Sequence, residues 1–312
     1  MQHYLLKETQ AYGAWREQKL NNYPKCEDEL IIELNNPINI MDNEIKAIDS
    51  ICSKANMVIY KSNLVEPDGR HAIISLAQQL GLNQLDDNIC ADEDRISAIQ
   101  DTSQFTDQAT DQAIGQKSHY IPYTDKPLNW HTDGYYNSSQ QRIHAFLMHC
   151  VRPAKSGGDN SYLDPEIVYL LLRDENPDYI SALMHDDVMM IPANEVKGKQ
   201  IRAAQTGPVF FVDESSQALC MRYTARQRNI IWKQDKLVQR ALGFMQEILQ
   251  GSSFIFRYRL NAGEGVICNN VLHNRTAFED HEDENNKRLL YRGRFYNRLA
   301  LQSNTLQNVV NN

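Results

Sequence analysis

The chain has 312 residues, of which 42% are hydrophobic, enough to bury a sizeable core. A formal net charge of -8 and an isoelectric point near 5.6 leave no basic stripe along which a nucleic-acid backbone could lie. No run approaches the roughly 20 apolar residues that span a bilayer, and the first residues (MQHYLLKETQAYGAW) lack a signal-peptide layout, so the expectation is a cytoplasmic protein.

In chain order, apolar residues at helical spacing (Ile45, Ile48, Ile51, Cys52) predict a helix over 40–55, followed by a short strand from Met57 to Tyr60. A second amphipathic helix is expected from Arg70 to Leu80, stopped by Gly81. Arg142 to Val151 reads as a strand closed by Pro153 and the Gly157-Gly158-Asp159 turn, with a new element from Ser161. Pro165 to Leu172 and Pro177 to Met184 each open with proline in the first turn of a helix. Lys233 to Gln250 is the longest helical stretch. Phe254 to Leu260, Gly265 to His273 and Arg288 to Leu299 then read as three strands.

Regular βα alternation is missing, so a doubly wound α/β fold is not expected. Many short strands with helical interruptions predict a mainly β jelly roll, arranged as one domain over 1–312, with a helical elaboration over about 1–80 and a helical insertion over about 164–250. The six cysteines (Cys26, Cys52, Cys90, Cys150, Cys220, Cys268) contain no C-x-x-C pair, which predicts reduced, packed thiols rather than disulfides or a structural zinc.

The segment Asn129-Trp130-His131-Thr132-Asp133-Gly134-Tyr135-Tyr136 carries the chemistry. On extended backbone, side chains at i and i+2 share a face, so His131 and Asp133 can meet one ion. His273, at the end of Gly-Val-Ile-Cys-Asn-Asn-Val-Leu-His, is the candidate third ligand. Two imidazoles and one carboxylate on one side of a metal leave the opposite positions open. Downstream, alternation places Arg288, Leu290, Arg292 and Arg294 on one strand face. Three guanidiniums together need anions among them; a salt-bridged, solvent-facing edge strand would satisfy the same pattern. His144 and His149 read as packing or surface residues.

Four segments in this order, Asn-Trp-His131-Thr-Asp133, Gly157-Gly158-Asp159-Asn160, Asn269-Asn270-Val-Leu-His273-Asn-Arg275-Thr-Ala-Phe278 and Arg288-x-x-x-Arg292, resemble the taurine dioxygenase and 2,4-dichlorophenoxyacetate dioxygenase family of Fe(II)/2-oxoglutarate oxygenases. The resemblance implies a double-stranded β-helix of the clavaminate synthase-like kind. It implies His131, Asp133 and His273 as iron(II) ligands and catalytic residues, and Arg288 as the partner of the distal carboxylate of 2-oxoglutarate. A planar guanidinium suits that task through two parallel charge-assisted hydrogen bonds. Relatives commonly carry threonine after Gly-Gly-Asp; here Asn160 is followed by Ser161, and either could supply the contact to the co-substrate.

Arg292 matches a position that in taurine-type relatives faces the substrate anion near the co-substrate, which implies an anionic or zwitterionic small molecule oxidised at an aliphatic C–H bond. Asn129, Tyr135 and Tyr136 are further candidates for the substrate pocket, although aromatic packing under a loop would explain the tyrosines equally. His119, Tyr120 and Tyr123 read as part of a lid. The expected partners are substrate and dioxygen, with no nucleic acid and no membrane; homo-oligomerisation is left open. A halogenase is disfavoured because Asp133 occupies the place a halide would need. The contrasting reading is a non-catalytic jelly roll that senses a small anion through Arg288 and Arg292.

Overall fold

The computed structural model describes residues 2–64, 69–87, 91–103, 120–196, 198–226 and 228–299; Cys90 and His119 lie outside these. Ten strands build two facing sheets: β1 (Ile31–Glu33), β2 (Met57–Lys61), β3 (Ser97–Ile99), β4 (Leu128–His131), β5 (Ala145–Arg152), β6 (Asn160–Leu163), β7 (Phe256–Tyr258), β8 (Glu264–Cys268), β9 (Leu272–Arg275) and β10 (Leu289–Phe295). The larger sheet runs β1-β2-β8-β5-β10-β3 and the smaller β7-β6-β9-β4. Only the β1–β2 pair is parallel among them.

The larger sheet is covered on both faces, which is why its strands read as apolar runs rather than as clean alternation. Met57, Ile59, Phe146, Met148, Val266 and Leu290 face the smaller sheet. Val58, Tyr60, Leu147, Ile267 and Phe295 point the other way, where Ile48 and Cys52 of the helix Asp42–Ala55, and Ile73 and Leu76 of the helix Gly69–Gln79, cover them. We number the helices α1 (Thr9–Asn22), α2 (Asp42–Ala55), α3 (Gly69–Gln79), α4 (Pro165–Glu175), α5 (Pro177–Leu183) and α6 (Lys236–Gly251). Their ends follow local chemistry. Asp164, Asn176 and Asp235 each accept a hydrogen bond from a first-turn backbone N–H, and α4 and α5 have proline in the first turn. Asn56 ends α2 in the left-handed region at φ 57°.

Three expectations need correction. The strand expected over 265–273 is two strands in different sheets: the chain leaves β8 at Cys268, turns through Asn269 and Asn270, and enters β9 at Leu272. Asn270 makes this turn at φ 49°, a conformation asparagine tolerates better than most residues. The insertion over 164–250 is helical only at its ends; between α5 and α6 it forms short strands from Met189–Ile191 to Ile231–Trp232. The N-terminal elaboration is not purely helical either, since it supplies β1 and β2 to the larger sheet.

Candidate metal centre

Cross-strand register assembles the site. A single row of paired residues crosses the smaller sheet, Phe256–Tyr162–His273–His131, and residues directly opposite one another share a face. His131 and His273 therefore lie side by side, with ring centroids 4.2 Å apart. Asp133 follows β4 by two residues, and one ligand atom from each of the three residues lies within 4.8 Å of the others. His131 Nε2 is 3.7 Å from Asp133 Oδ1. All three are buried between the sheets, where Phe146 of β5 packs on the His273 ring at 4.7 Å between centroids.

Hydrogen bonds fix which imidazole nitrogen is free. His131 Nδ1 lies 2.9 Å from the Asn129 carbonyl and His273 Nδ1 lies 3.0 Å from the Val271 carbonyl. A carbonyl can only accept, so each Nδ1 carries a proton, and in the neutral ring each Nε2 presents a lone pair toward the shared space. Burial, then the neighbouring His131, pushes the His273 pKa down to about 3, which keeps that imidazole neutral. For Asp133, burial opposes ionisation most strongly, yet the guanidinium of Arg292, the hydrogen bond with His131 and the nearby Arg294 and His273 together outweigh it and hold the carboxyl well below the usual range. Arg292 Nη1 donates to Asp133 Oδ1 at 3.2 Å.

The ligand segment is braced from both sides. Asn270 accepts from Asp133 N (2.8 Å) and donates to the carbonyls of Asp133 (3.0 Å) and Ile143 (2.7 Å). Opposite, Thr132 exchanges hydrogen bonds with the backbone of Tyr223. Gly134 turns the chain immediately after Asp133 at φ 66°, where a Cβ would stand 2.4 Å from Ile143.

The unpartnered atoms test whether a metal and a dicarboxylic co-substrate fit here. Asp133 Oδ2, Tyr162 Oη, Arg288 Nη1 and Arg292 Nε are buried without a hydrogen-bond partner. Buried polar groups are ordinarily satisfied, so this set calls for ligands of both signs. Two neutral Nε2 donors and a carboxylate suit a divalent first-row metal. Arg288 shares a small pocket with Asn160, Cys150, Gly158 and Leu290. It has no ion-pair partner among the described residues, and burial depresses its pKa. Gly158 turns the chain at this wall at φ 75°, a conformation that favours glycine, next to Arg288 Nε. Ser161, by contrast, pairs with Asn274 on the other face of the smaller sheet, so it is Asn160 that shares the pocket with Arg288.

Of the other residues singled out in the sequence, some keep their expected roles and some do not. Arg292 spends a nitrogen on Asp133 instead of standing free for a substrate anion. Arg294 is ion-paired with buried Asp86 and donates to Tyr136 Oη. Asn129 has an exposed side chain, and its carbonyl orients His131. Tyr135 stands edge-on to His131 at 6.4 Å and accepts a hydrogen bond from Arg226. His144 lies 3.5 Å from Cys220 Sγ, and His149 bonds Tyr60; neither joins the centre. The sequence reading missed Tyr162, whose signal was its place two residues after Asn160, and the bracing roles of Gly134 and Asn270.

The description of one family model, Taurine catabolism dioxygenase TauD, TfdA family, matches residues 42–294. A uridine-5'-phosphate dioxygenase from Amycolatopsis sp is 28% identical over 160 residues, covering 49% of this chain and 56% of that relative. Another, from Streptomyces sp, is 28% identical over 184 residues, covering 57% of this chain and 65% of its own length. The chain thus spans less than two thirds of either relative. Among solved structures, an asparagine oxygenase in complex with Fe(II), 2S,3S-3-hydroxyasparagine and succinate shares the fold at a TM-score of 0.56 and 13% identity, over 81% of this chain and 78% of that one. With most of its length matched by the family model and a jelly-roll core in which His131, Asp133 and His273 converge, the chain belongs to the TauD/TfdA family.

Proposed function

We propose that the chain is an Fe(II)/2-oxoglutarate-dependent dioxygenase that oxidises, by default hydroxylates, an aliphatic C–H bond of a small anionic substrate. The observation that carries this reading is the convergence of two Nε2 lone pairs and the Asp133 carboxylate, together with a buried, unpartnered Arg288 nitrogen. Bound at His131, Asp133 and His273, iron(II) would supply the oxidising chemistry with dioxygen and 2-oxoglutarate, giving succinate and carbon dioxide.

The chain's own residues bind, orient and exclude water. Arg288 would take the distal carboxylate of 2-oxoglutarate through its unsatisfied Nη1, with Asn160 and Tyr162 Oη beside it. Arg292 steadies Asp133 and keeps it ionised, with its Nε left to offer to a bound anion. Phe146 closes the space behind His273. The names of the two relatives point toward a phosphorylated substrate as one member of the anionic class.

A small molecule and dioxygen are the partners we assign. The net charge of -8 supports leaving nucleic acid out, and a cytoplasmic location is part of the same reading. No described helix is long and apolar enough to cross a membrane.

The test is succinate formation from 2-oxoglutarate with added Fe(II) in air. Turnover that stops without iron is the expected result. Binding of 2-oxoglutarate with no succinate under any substrate would instead support the anion-sensing jelly roll.

A further inference from the structure

We infer that Arg202 and Arg226 form a clamp for a doubly charged, phosphate-type group on the substrate; this rests on the dioxygenase reading and adds to it the residues that read the anion. The arginines nearest the centre offer little to a doubly charged group. Arg294 is bound to Asp86, and Arg292 gives one nitrogen to Asp133, which leaves its Nε. Arg288 is assigned to 2-oxoglutarate and lines a pocket with Asn160. A doubly charged substrate group therefore needs further countercharge.

Tyr135 and Tyr136, directly after Asp133, lead to that countercharge. Arg226 Nη1 donates to Tyr135 Oη at 2.9 Å, and the same ring stands edge-on to His131. Arg202 donates to the carbonyls of Tyr136 (3.3 Å) and Pro192 (2.8 Å), with its guanidinium 5.7 Å from the Tyr136 ring centre. The two tyrosine rings are 5.1 Å apart, so the two guanidiniums are carried by one aromatic pair next to the metal-ligand segment.

No carboxylate balances this charge among the described residues. Arg202 meets carbonyls and tyrosines, and Arg226 meets a phenol. Behind them Arg222 is buried against the carbonyls of Tyr135, Met189, Gly207 and Gln205, which ties the inserted strands to the tyrosine pair. Burial, with Arg142 and Arg202 nearby, pushes its pKa down to about 10. Gathering cations without acids costs electrostatic energy that a bound anion would offset. In a chain of net charge -8, acids were available to neutralise them. Arg226 is exposed and holds only a phenol, a task that needs no arginine. Two guanidiniums held by the neighbouring Tyr135 and Tyr136 suit a group with three acceptor oxygens and two charges better than a single carboxylate.

The experiment is calorimetric titration with uridine 5'-monophosphate, uridine and inorganic phosphate, run on the chain loaded with Fe(II) and 2-oxoglutarate under argon and again on the unloaded chain. The monophosphate and inorganic phosphate are expected to compete for one site, with uridine bound at least about tenfold more weakly. Arg226→Gln and Arg202→Gln should each weaken the phosphate-bearing probes by about tenfold to a hundredfold while 2-oxoglutarate affinity is retained. Arg226 is exposed, so loss in that variant is not a folding effect. Absence of phosphate binding, monophosphate bound no more tightly than uridine, or variants that bind as the parent does would each overturn the clamp. Failure of the parent chain to bind 2-oxoglutarate counts against the dioxygenase reading alone, because the unloaded titration still decides the clamp.

Discussion

His131 and His273 are directly opposed partners in the antiparallel ladder between β4 and β9. Because side chains alternate along a strand, sliding β9 by one residue would turn His273 to the opposite face and disperse the centre. Asn270 stands at the entrance to β9 and bonds both Asp133 and Ile143, so it ties this register to the loop that carries the carboxylate.

Asn270→Ala is accordingly expected to act on metal affinity as well as stability. It removes three hydrogen bonds and places alanine at φ 49°. Loss of about 2–4 kcal/mol in chemical denaturation and a roughly tenfold or greater loss of metal affinity are predicted. Parental metal affinity in a folded variant would refute the brace.

Asp133→Asn tests the pairing with Arg292. In the metal-free chain Arg292 would lose its buried countercharge, and stability should fall by roughly 3 kcal/mol. If the carboxylate instead strains the empty centre, the variant will melt above the parent, and denaturation of both in chelator separates the two results.

Arg288→Met should produce the reverse pattern. Among the described residues the buried guanidinium has no ion-pair partner and one unsatisfied nitrogen, so a well-packed apolar side chain should leave the ligand-free chain at least as stable. Affinity for 2-oxoglutarate should fall by about a hundredfold or more, since a charge-assisted bidentate contact is lost. A melting-temperature rise with 2-oxoglutarate equal to that of the parent would contradict the assignment.

His149 gives a pH dependence outside the metal centre. It is buried against Tyr60 on the helix-covered side of the larger sheet, and burial lowers its pKa to about 4. The unfolded chain takes up this proton near pH 6.5 while the folded chain resists until about 4. The neutral histidine's contribution is thus complete above pH 6.5 and lost as pH falls toward 4, by at most about 1.4 kcal/mol per unit. Urea unfolding of the parent and His149→Gln across this range should show the parent falling more steeply; parallel curves would count against it.

The cluster of His131, Asp133 and His273 was legible because two of its members obey strand alternation and the third ends an apolar run. Register was not legible: nothing in Gly265 to His273 announces that the chain changes sheets at Asn269 and Asn270, since both strands are buried and read as one apolar run. Helix α1 was missed because the apolar residues of TQAYGAWREQKLNN do not gather on one face. The short strands between α5 and α6 each have only a few residues, too few to display a period. Arg292 illustrates a different limit. Its type and position were visible, but its commitment to Asp133 depends on a contact 159 residues away in sequence.

The most direct test of the central claim is an equilibrium titration of the metal-free chain with Fe(II) under argon, followed in parallel for His131→Ala and His273→Ala. One equivalent bound per parent chain, with affinity reduced at least about a hundredfold in each variant, is the predicted result. Binding that survives loss of either imidazole, or no binding by the parent, would contradict it.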